Sequence, residues 1–107
     1  MKISCCWLYA ITKYGYPPSL PDTFKVLAEM RALGFEYVEL EGVRRDNLMA
    51  VYEKRHALKK FCDGEGLKVI NFCPVLPSSV SLSRKERKVF FFKQKTAYEI
   101  AKLFDCY

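Results

Sequence analysis

The hydrophobic pattern of the chain repeats: amphipathic stretches separate three short β-rich runs, at Lys2–Trp7, Tyr37–Glu41 and Lys68–Cys73. The step from Ile3 to Tyr37 is 34 residues and the step from Tyr37 to Val69 is 32 residues. Parallel strands need a crossover of at least about a dozen residues, usually a helix. The period therefore predicts consecutive β/α units, an α/β fold with a parallel sheet whose chemistry lies at the carboxyl ends of the strands.

Helix signals fill the stretches between the predicted strands. Ser19 and Asp22 have capping-box-like spacing, and Gly34 is well placed to end the helix that follows. The predicted helices are helix one from Ser19 to Gly34, helix two from about Asp46 to about Asp63, and helix three from Leu82 to Phe104. Loops are predicted at Thr12–Pro18 and Pro74–Ser81, and a fourth strand near Cys106.

The second run alternates cleanly between acidic and apolar residues. Tyr37, Glu39 and Glu41 fall on one side, whereas Val38 and Leu40 fall on the other. The apolar side is predicted to pack against helices. The acidic side is then expected to point into a barrel interior or its mouth.

Composition narrows the class of protein. With 107 residues the chain is one domain at most, and 50% hydrophobic residues favour a packed core over disorder. No apolar run approaches the ~20 residues of a membrane helix, and the N-terminal run is predicted to be a buried strand, not a signal peptide. The five cysteines show no CxxC spacing, which favours reduced thiols and a cytoplasmic location.

The positive charge is concentrated near the C-terminus. Residues 83–100 carry six cations and two acids, so they hold +4 of the formal net charge of +6. A solvated helix face is the plain interpretation. Attraction of phosphate backbones is the alternative, and it would make the chain a small basic module that binds nucleic acid or phosphate.

Three segments together resemble a known family: LGFEYVELEG at Leu33–Gly42, GLKVINFCPVLP at Gly66–Pro77 and EIAKLFDCY at Glu99–Tyr107. They are similar to the N-terminal part of the xylose-isomerase-like sugar phosphate isomerase/epimerase family. The resemblance implies a (β/α)8 TIM barrel, of which the chain would be an incomplete N-terminal part with about three β/α units.

The same resemblance implies metal-dependent chemistry for the full-length protein. Family members move a proton next to a sugar carbonyl at a divalent metal (Mn, Mg or Co), which Glu, Asp and His from later strands hold. No ligand is expected in this chain, so it is predicted to be inactive alone. The related nucleases place a metal-binding His after strand three, where this chain has Cys73-Pro74-Val75.

A second resemblance concerns the origin of one segment. Lys93–Ile100, read KQKTAYEI, is similar to a translated sequencing-library adapter, and Phe90–Phe92 precedes it. Phe90–Ile100 is therefore expected to be foreign to the natural protein, and no function is assigned to its basic residues.

Five residues are candidates for substrate contact, because they lie near the ends of predicted strands: Trp7, Tyr9, Glu41, Asn71 and Cys73. The aromatic rings could pack on the apolar face of a sugar, and the polar groups could face its pocket. Each also has a structural interpretation, which is core packing for the rings and a salt bridge or local hydrogen bond for the others. Alone, the chain is expected to be marginally stable and to self-associate through unpaired strand edges.

Overall fold

The computed structural model describes residues 3–75 and 95–106. The elements, in chain order, are β1 (Ser4–Cys5), α1 (Leu8–Tyr14), α2 (Leu20–Ala32), β2 (Tyr37–Val43), α3 (Arg44–Glu53), α4 (Arg55–Glu65) and β3 (Lys68–Val75). Residues 95–103 are helical as well.

The three strands form a parallel sheet in the order β1-β2-β3, which confirms the predicted order and direction. Ser4 pairs with Tyr37 on one side of β2, and Glu41 pairs with Cys73 on the other. The β2–β3 register shifts between Val38 and Glu39, where β3 contains one additional residue, Ile70. The fold is therefore mixed α/β with a parallel sheet.

Helix α2 begins and ends close to where the sequence predicts. The Ser19 hydroxyl accepts the Asp22 amide at 3.2 Å, which caps the first turn. Gly34 adopts φ +100°, and the following Phe35 amide donates to the Met30 carbonyl at 3.1 Å. This left-handed turn satisfies a carbonyl at the helix end and returns the chain toward β2.

The first strand is much shorter than predicted. Of the described residues 3–7, Ser4–Cys5 alone form a strand, and Trp7 is the N-cap of helix α1. The prediction of a loop at Thr12–Pro18 is wrong up to Tyr14, because α1 extends to that residue. Trp7 and Ala10 are 3% and 0% exposed. Their three-residue spacing matches one buried helix face, a period that the continuous apolar run obscured.

The predicted second helix is two helices, α3 and α4, joined at Lys54. Helix α3 starts before the predicted Asp46, because the Asn47 side chain accepts the Val43 amide at 2.8 Å directly after β2. At the break, the Arg55 guanidinium donates to the Tyr52 carbonyl at 2.8 Å and lies 3.9 Å from the centre of the Tyr52 ring. The side chain thus uses a carbonyl that a continuous helix would pair with a backbone amide.

Strands β2 and β3 both run past the residues that were predicted to end them. Gly42 lies within β2, and a Cβ atom there would lie 2.6 Å from Leu48 Cδ1 and 2.9 Å from Phe72 Cζ. A side chain at this position would force Leu48 or Phe72 to move, and Gly42 does not terminate the strand. Pro74 lies within β3, which pairs with β2 alone among the described strands, so its missing amide donor is tolerated.

The hydrophobic core lies between the sheet and the helices. Val38, Leu40 and Val69 of the sheet meet apolar residues of α2, α3 and α4, and the Phe24 and Phe61 rings of α2 and α4 pack edge to face at 5.4 Å. Ala97 and Ile100 of the C-terminal helical residues, with Phe104 in the turn that follows, complete the core.

The described residues near the C-terminus test two predictions, helix three and a fourth strand. Residues 95–103 confirm helix there, whereas the rest of predicted helix three and most of the preceding loop lie outside the described residues. Cys106 is not in a strand, but its thiol donates to the Val69 carbonyl at 3.2 Å, beside the start of β3. None of the described helices has both the length and the apolar character that crossing a bilayer requires.

Candidate functional site

The side of the sheet that faces away from the core is polar. We call it the polar face and define it by five side chains, which are Tyr37, Glu39, Glu41, Asn71 and Cys73. Asn71 and Cys73 are exposed, and the three residues on β2 are half-buried. Side chains alternate along a strand, so the same backbone that buries Val38 and Leu40 presents the carboxylates on its other side.

Two pairs of this face lie opposite each other across β2 and β3. Glu39 pairs with Asn71, and the Asn71 amide nitrogen donates to Glu39 Oε2 at 3.5 Å. One step further along, Glu41 pairs with Cys73. The sequence predicts that Glu41, Trp7 and Asn71 or Cys73 cluster at the carboxyl ends of the strands, and the register brings Glu41, Asn71 and Cys73 together on β2 and β3 but does not include Trp7.

Glu41 has an incompletely satisfied carboxyl group. Its Oε2 atom is enclosed and has no hydrogen-bond partner among the described residues. Burial raises the pKa of Glu41, and the neighbouring Glu39 charge raises it further. The surroundings of Glu41 therefore disfavour the charged form of its carboxyl group.

Cys73 is not an activated nucleophile. Burial raises the pKa of its thiol, and the negative charges of Glu41 and Glu39 add to the effect. Reactive cysteines have depressed pKa values in electropositive surroundings, which is the opposite arrangement. Cys73 therefore places a polarisable but unactivated thiol opposite Glu41. All five cysteines are free thiols.

The two aromatic candidates lie elsewhere. Trp7 is 3% exposed and belongs to the hydrophobic core on the helix side of the sheet. Tyr9 lies on α1, not at the end of a strand, and its hydroxyl donates to Glu29 Oε2 at 3.2 Å. The structure therefore does not bring either ring to the polar face, because the chain turns into a helix directly after Cys5.

A metal site does not emerge from the described residues. They contain no group of three or more His, Cys, Asp or Glu side chains that could hold an ion. Glu39 and Glu41 offer oxygen ligands, but the adjacent donors are an amide and a thiol with a raised pKa. Hard divalent cations prefer more oxygen donors than this set offers, so these residues alone do not fit such an ion.

A second polar cluster was not predicted from the sequence. The Glu29 carboxylate of α2 accepts from Tyr9 and Tyr14 hydroxyls and from the Lys13 ammonium group, all on α1. Tyr14 and Lys13 lower the pKa of Glu29 through these bonds. The only available signal was the spacing of Tyr9, Lys13 and Tyr14, which gains meaning once residues 8–14 are known to be helical.

A scan against protein-family models found no match, and searches of curated proteins and of solved structures found none either. The resemblance to the xylose-isomerase-like family therefore stays a prediction that depends on the three quoted segments. What the structure establishes is the class: an α/β protein with a parallel sheet whose one face is polar.

Proposed function

We propose that the described residues form three consecutive β/α units of a (β/α)8 TIM barrel in a sugar or sugar-phosphate isomerase or epimerase. The fold supports this in one respect. Parallel sheets are normally covered on both faces, whereas this sheet buries one apolar face and keeps a polar face with exposed Asn71 and Cys73. In a barrel, that face would meet the opposing wall.

The observation that carries the proposal is the Glu41 carboxyl group near the carboxyl end of β2. Its Oε2 atom is enclosed without a partner among the residues described, which is an arrangement that costs free energy unless something else satisfies it. A sugar hydroxyl group could do so, because it both donates and accepts. Barrel enzymes of this class bind substrate at this end of the strands.

In this proposal Glu41 binds the substrate, and other groups transfer the proton. The metal that the family resemblance implies would polarise the sugar carbonyl, and its ligands would come from strands other than β1, β2 and β3. Glu39 and Asn71 would hold the strand ends in register beneath Glu41 through their hydrogen bond. The substrate would be a small sugar, and the proposed location is cytoplasmic.

The test uses the full-length protein of which, on this proposal, the chain is a part, supplied with Mn²⁺ and a panel of aldose and ketose phosphates. Exchange of the sugar proton next to the carbonyl with solvent deuterium is followed by NMR. We expect exchange with at least one substrate, and Glu41→Gln should raise KM or lower kcat/KM by about tenfold or more.

Glu36→Gln is the matched control, because Glu36 is an exposed acid that precedes the amino end of β2. It should leave the kinetics unchanged. No exchange with any sugar would contradict the enzyme proposal. Exchange that Glu41→Gln does not alter would contradict the role of Glu41 while leaving the enzyme class intact.

The alternative function, a small basic module for nucleic acid or phosphate, remains a prediction without a structural observation in its favour. Of the six cations in residues 83–100, only Lys95 lies in the described part of the chain. Binding to DNA or RNA that weakens steeply with salt would support it, because such affinity depends on counterion release.

A further inference from the structure

Helix α1 is fastened to α2 by a single carboxylate. Tyr9, Lys13 and Tyr14 reach from α1 to Glu29 at 3.2, 3.0 and 2.5 Å. Tyr9 and Lys13 are neighbours on one side of α1, because they are four residues apart, and Tyr14 reaches the same carboxylate from the next position. Hydrogen bonds to a charged acceptor are stronger than neutral ones, so this one carboxylate concentrates the polar attachment of the helix.

The apolar attachment of α1 is small by comparison. Ala10 is its only fully buried residue, and Leu8 is 63% exposed. Tyr9, Ile11 and Tyr14 pack only partly against the core. The helix has seven residues and no side-chain N-cap, and a helix of that length is marginal without tertiary contacts. The Glu29 bonds therefore add a polar attachment to this limited apolar one, and the partial exposure of Lys13 and Glu29 keeps each bond modest in strength.

Both ends of α1 permit it to move as a unit. Gly15, which follows the helix, has φ +105°, and a Cβ atom there would meet nothing within 4 Å. Before the helix, Cys6 is exposed while Trp7 is anchored in the core. Release of residues 8–14 between the Trp7 anchor and Gly15 would take Ala10 out of the core but would leave every side chain of the sheet in place.

The position of α1 gives such a movement a consequence. Helix α1 follows the carboxyl end of β1, which is the edge of the parallel sheet where Glu41 also lies. Beyond α1, the Tyr16 ring lies 5.9 Å from the guanidinium of Arg44, the first residue after β2. The segment from α1 to Tyr16 thus borders the carboxyl end of the central strand.

We propose that Glu29 acts as a latch: its bonds hold α1 against α2 beside the carboxyl edge of the sheet. Without these bonds, α1 is a segment that opens separately from the rest of the fold. When the latch is broken, α1 detaches while the sheet and helices α2 to α4 stay folded. This inference does not depend on the proposed enzymatic function, because it concerns local stability alone. Segments that open locally often border binding sites, where access requires them to move.

Hydrogen–deuterium exchange at single-amide resolution tests the latch in the intact chain. The amides of Ile11 and Gly15 report on α1, because they donate to the Trp7 and Ile11 carbonyls within and at the end of that helix. In Glu29→Ala, we expect these amides to exchange about tenfold faster or more, with amides of β2 and α4 within about twofold of the parent.

The matched control is Asp63→Ala, which removes an acid of the same charge from the exposed Lys59–Asp63 pair of α4. It should leave α1 exchange unchanged. A second variant, Lys13→Met with Tyr14→Phe, removes two of the three donors and keeps Glu29, and it should accelerate α1 exchange in the same direction even if Glu29→Ala folds poorly. Unchanged α1 exchange in the double variant, or an equal acceleration throughout the chain, would overturn the proposal.

Discussion

The two faces of strand β2 differ sharply although they share one backbone. Val38 and Leu40 are 0% and 1% exposed against the helices, whereas Glu39 and Glu41, their immediate neighbours, project to the polar face and remain partly exposed. The apolar face supplies burial and hence stability. The polar face includes one carboxyl oxygen, Glu41 Oε2, that has no hydrogen-bond partner among the described residues. Residues that stabilise the core and residues that could contact a ligand thus alternate along β2.

Strand β3 also has one buried and one exposed face, and this arrangement depends on the register of the strand. Phe72 is buried opposite Leu40, while Asn71 and Cys73 on either side are exposed. The register shift at Ile70 precedes these residues. A one-residue change of register moves every side chain to the other face, so this irregularity keeps Asn71 out of the core and Phe72 in it.

The largest expected effect comes from deleting volume on the buried face. Leu40→Ala should lower the free energy of unfolding by about 2–5 kcal/mol, because it removes buried methyl groups and leaves a cavity. Glu39→Ala, one residue away, should change it by no more than about 0.5 kcal/mol. Urea denaturation followed by circular dichroism measures both, and equal losses in the two variants would refute the contrast between the faces.

The close contact at Gly42 provides the next largest effect. Gly42→Ala should destabilise the fold by about 1–3 kcal/mol, because the new methyl group would clash with Leu48 and Phe72. Gly64→Ala is the opposite control, since nothing lies within 4 Å of a Cβ atom there and the residue is helical. Thermal melts should show Gly64→Ala stabilised by about 0.5–1 kcal/mol. Destabilisation by Gly64→Ala alone would invert the prediction.

Self-association tests whether the sheet is incomplete at its amino end. Ile3 and Leu33 are 66% and 62% exposed and line a depression of about 310 Å³ together with Phe35 and Tyr37. We expect the chain to associate as its concentration rises, and Ile3→Ser with Leu33→Ser to weaken association by about tenfold, or 1.4 kcal/mol. Sedimentation velocity across concentrations measures this, with Leu8→Ser as an exposed apolar control. A monodisperse parent chain would contradict the expectation.

The smallest effect is the pH response of Glu41. Its pKa is raised in the folded state, so the charged form is disfavoured and ionisation costs stability as pH rises through the folded pKa. Glu41→Gln should therefore stabilise the chain at pH 7 by up to about 0.5 kcal/mol. The gain should vanish below about pH 4, because the carboxyl group is then protonated in both the folded and the unfolded chain. Melting temperatures of the parent and of Glu41→Gln at the two pH values test this prediction. A stabilisation by Glu41→Gln that is larger at acid pH would contradict a raised pKa of Glu41.

Much of the fold could be predicted because its signals are local. The Ser19 cap, the Gly34 turn and the alternation in β2 each depend on residues within a few positions of one another. The length of β1 and the break at Lys54 could not be predicted in this way. The first depends on which residues α1 buries, and the second on a side chain that takes a backbone carbonyl.

The candidate site was predicted in part for the same reason. Glu41, Asn71 and Cys73 follow from strand alternation and parallel order, which sequence patterns reveal. Trp7 and Tyr9 were grouped with them because they follow the first strand, but helix α1 carries Tyr9 away toward Glu29. No local pattern connects Glu29 with α1, because the donors and the acceptor lie on different helices.

The sequence by itself determined that β/α units repeat, that the strands are parallel in chain order, and that one face of β2 is acidic. These properties arise from periodicity and crossover length, which act along the chain. Only the tertiary structure decided that Trp7 enters the core, that Gly42 must lack a side chain, and that Glu29 gathers three donors from α1. Those properties depend on which atoms meet across separate elements, and packing alone settles that.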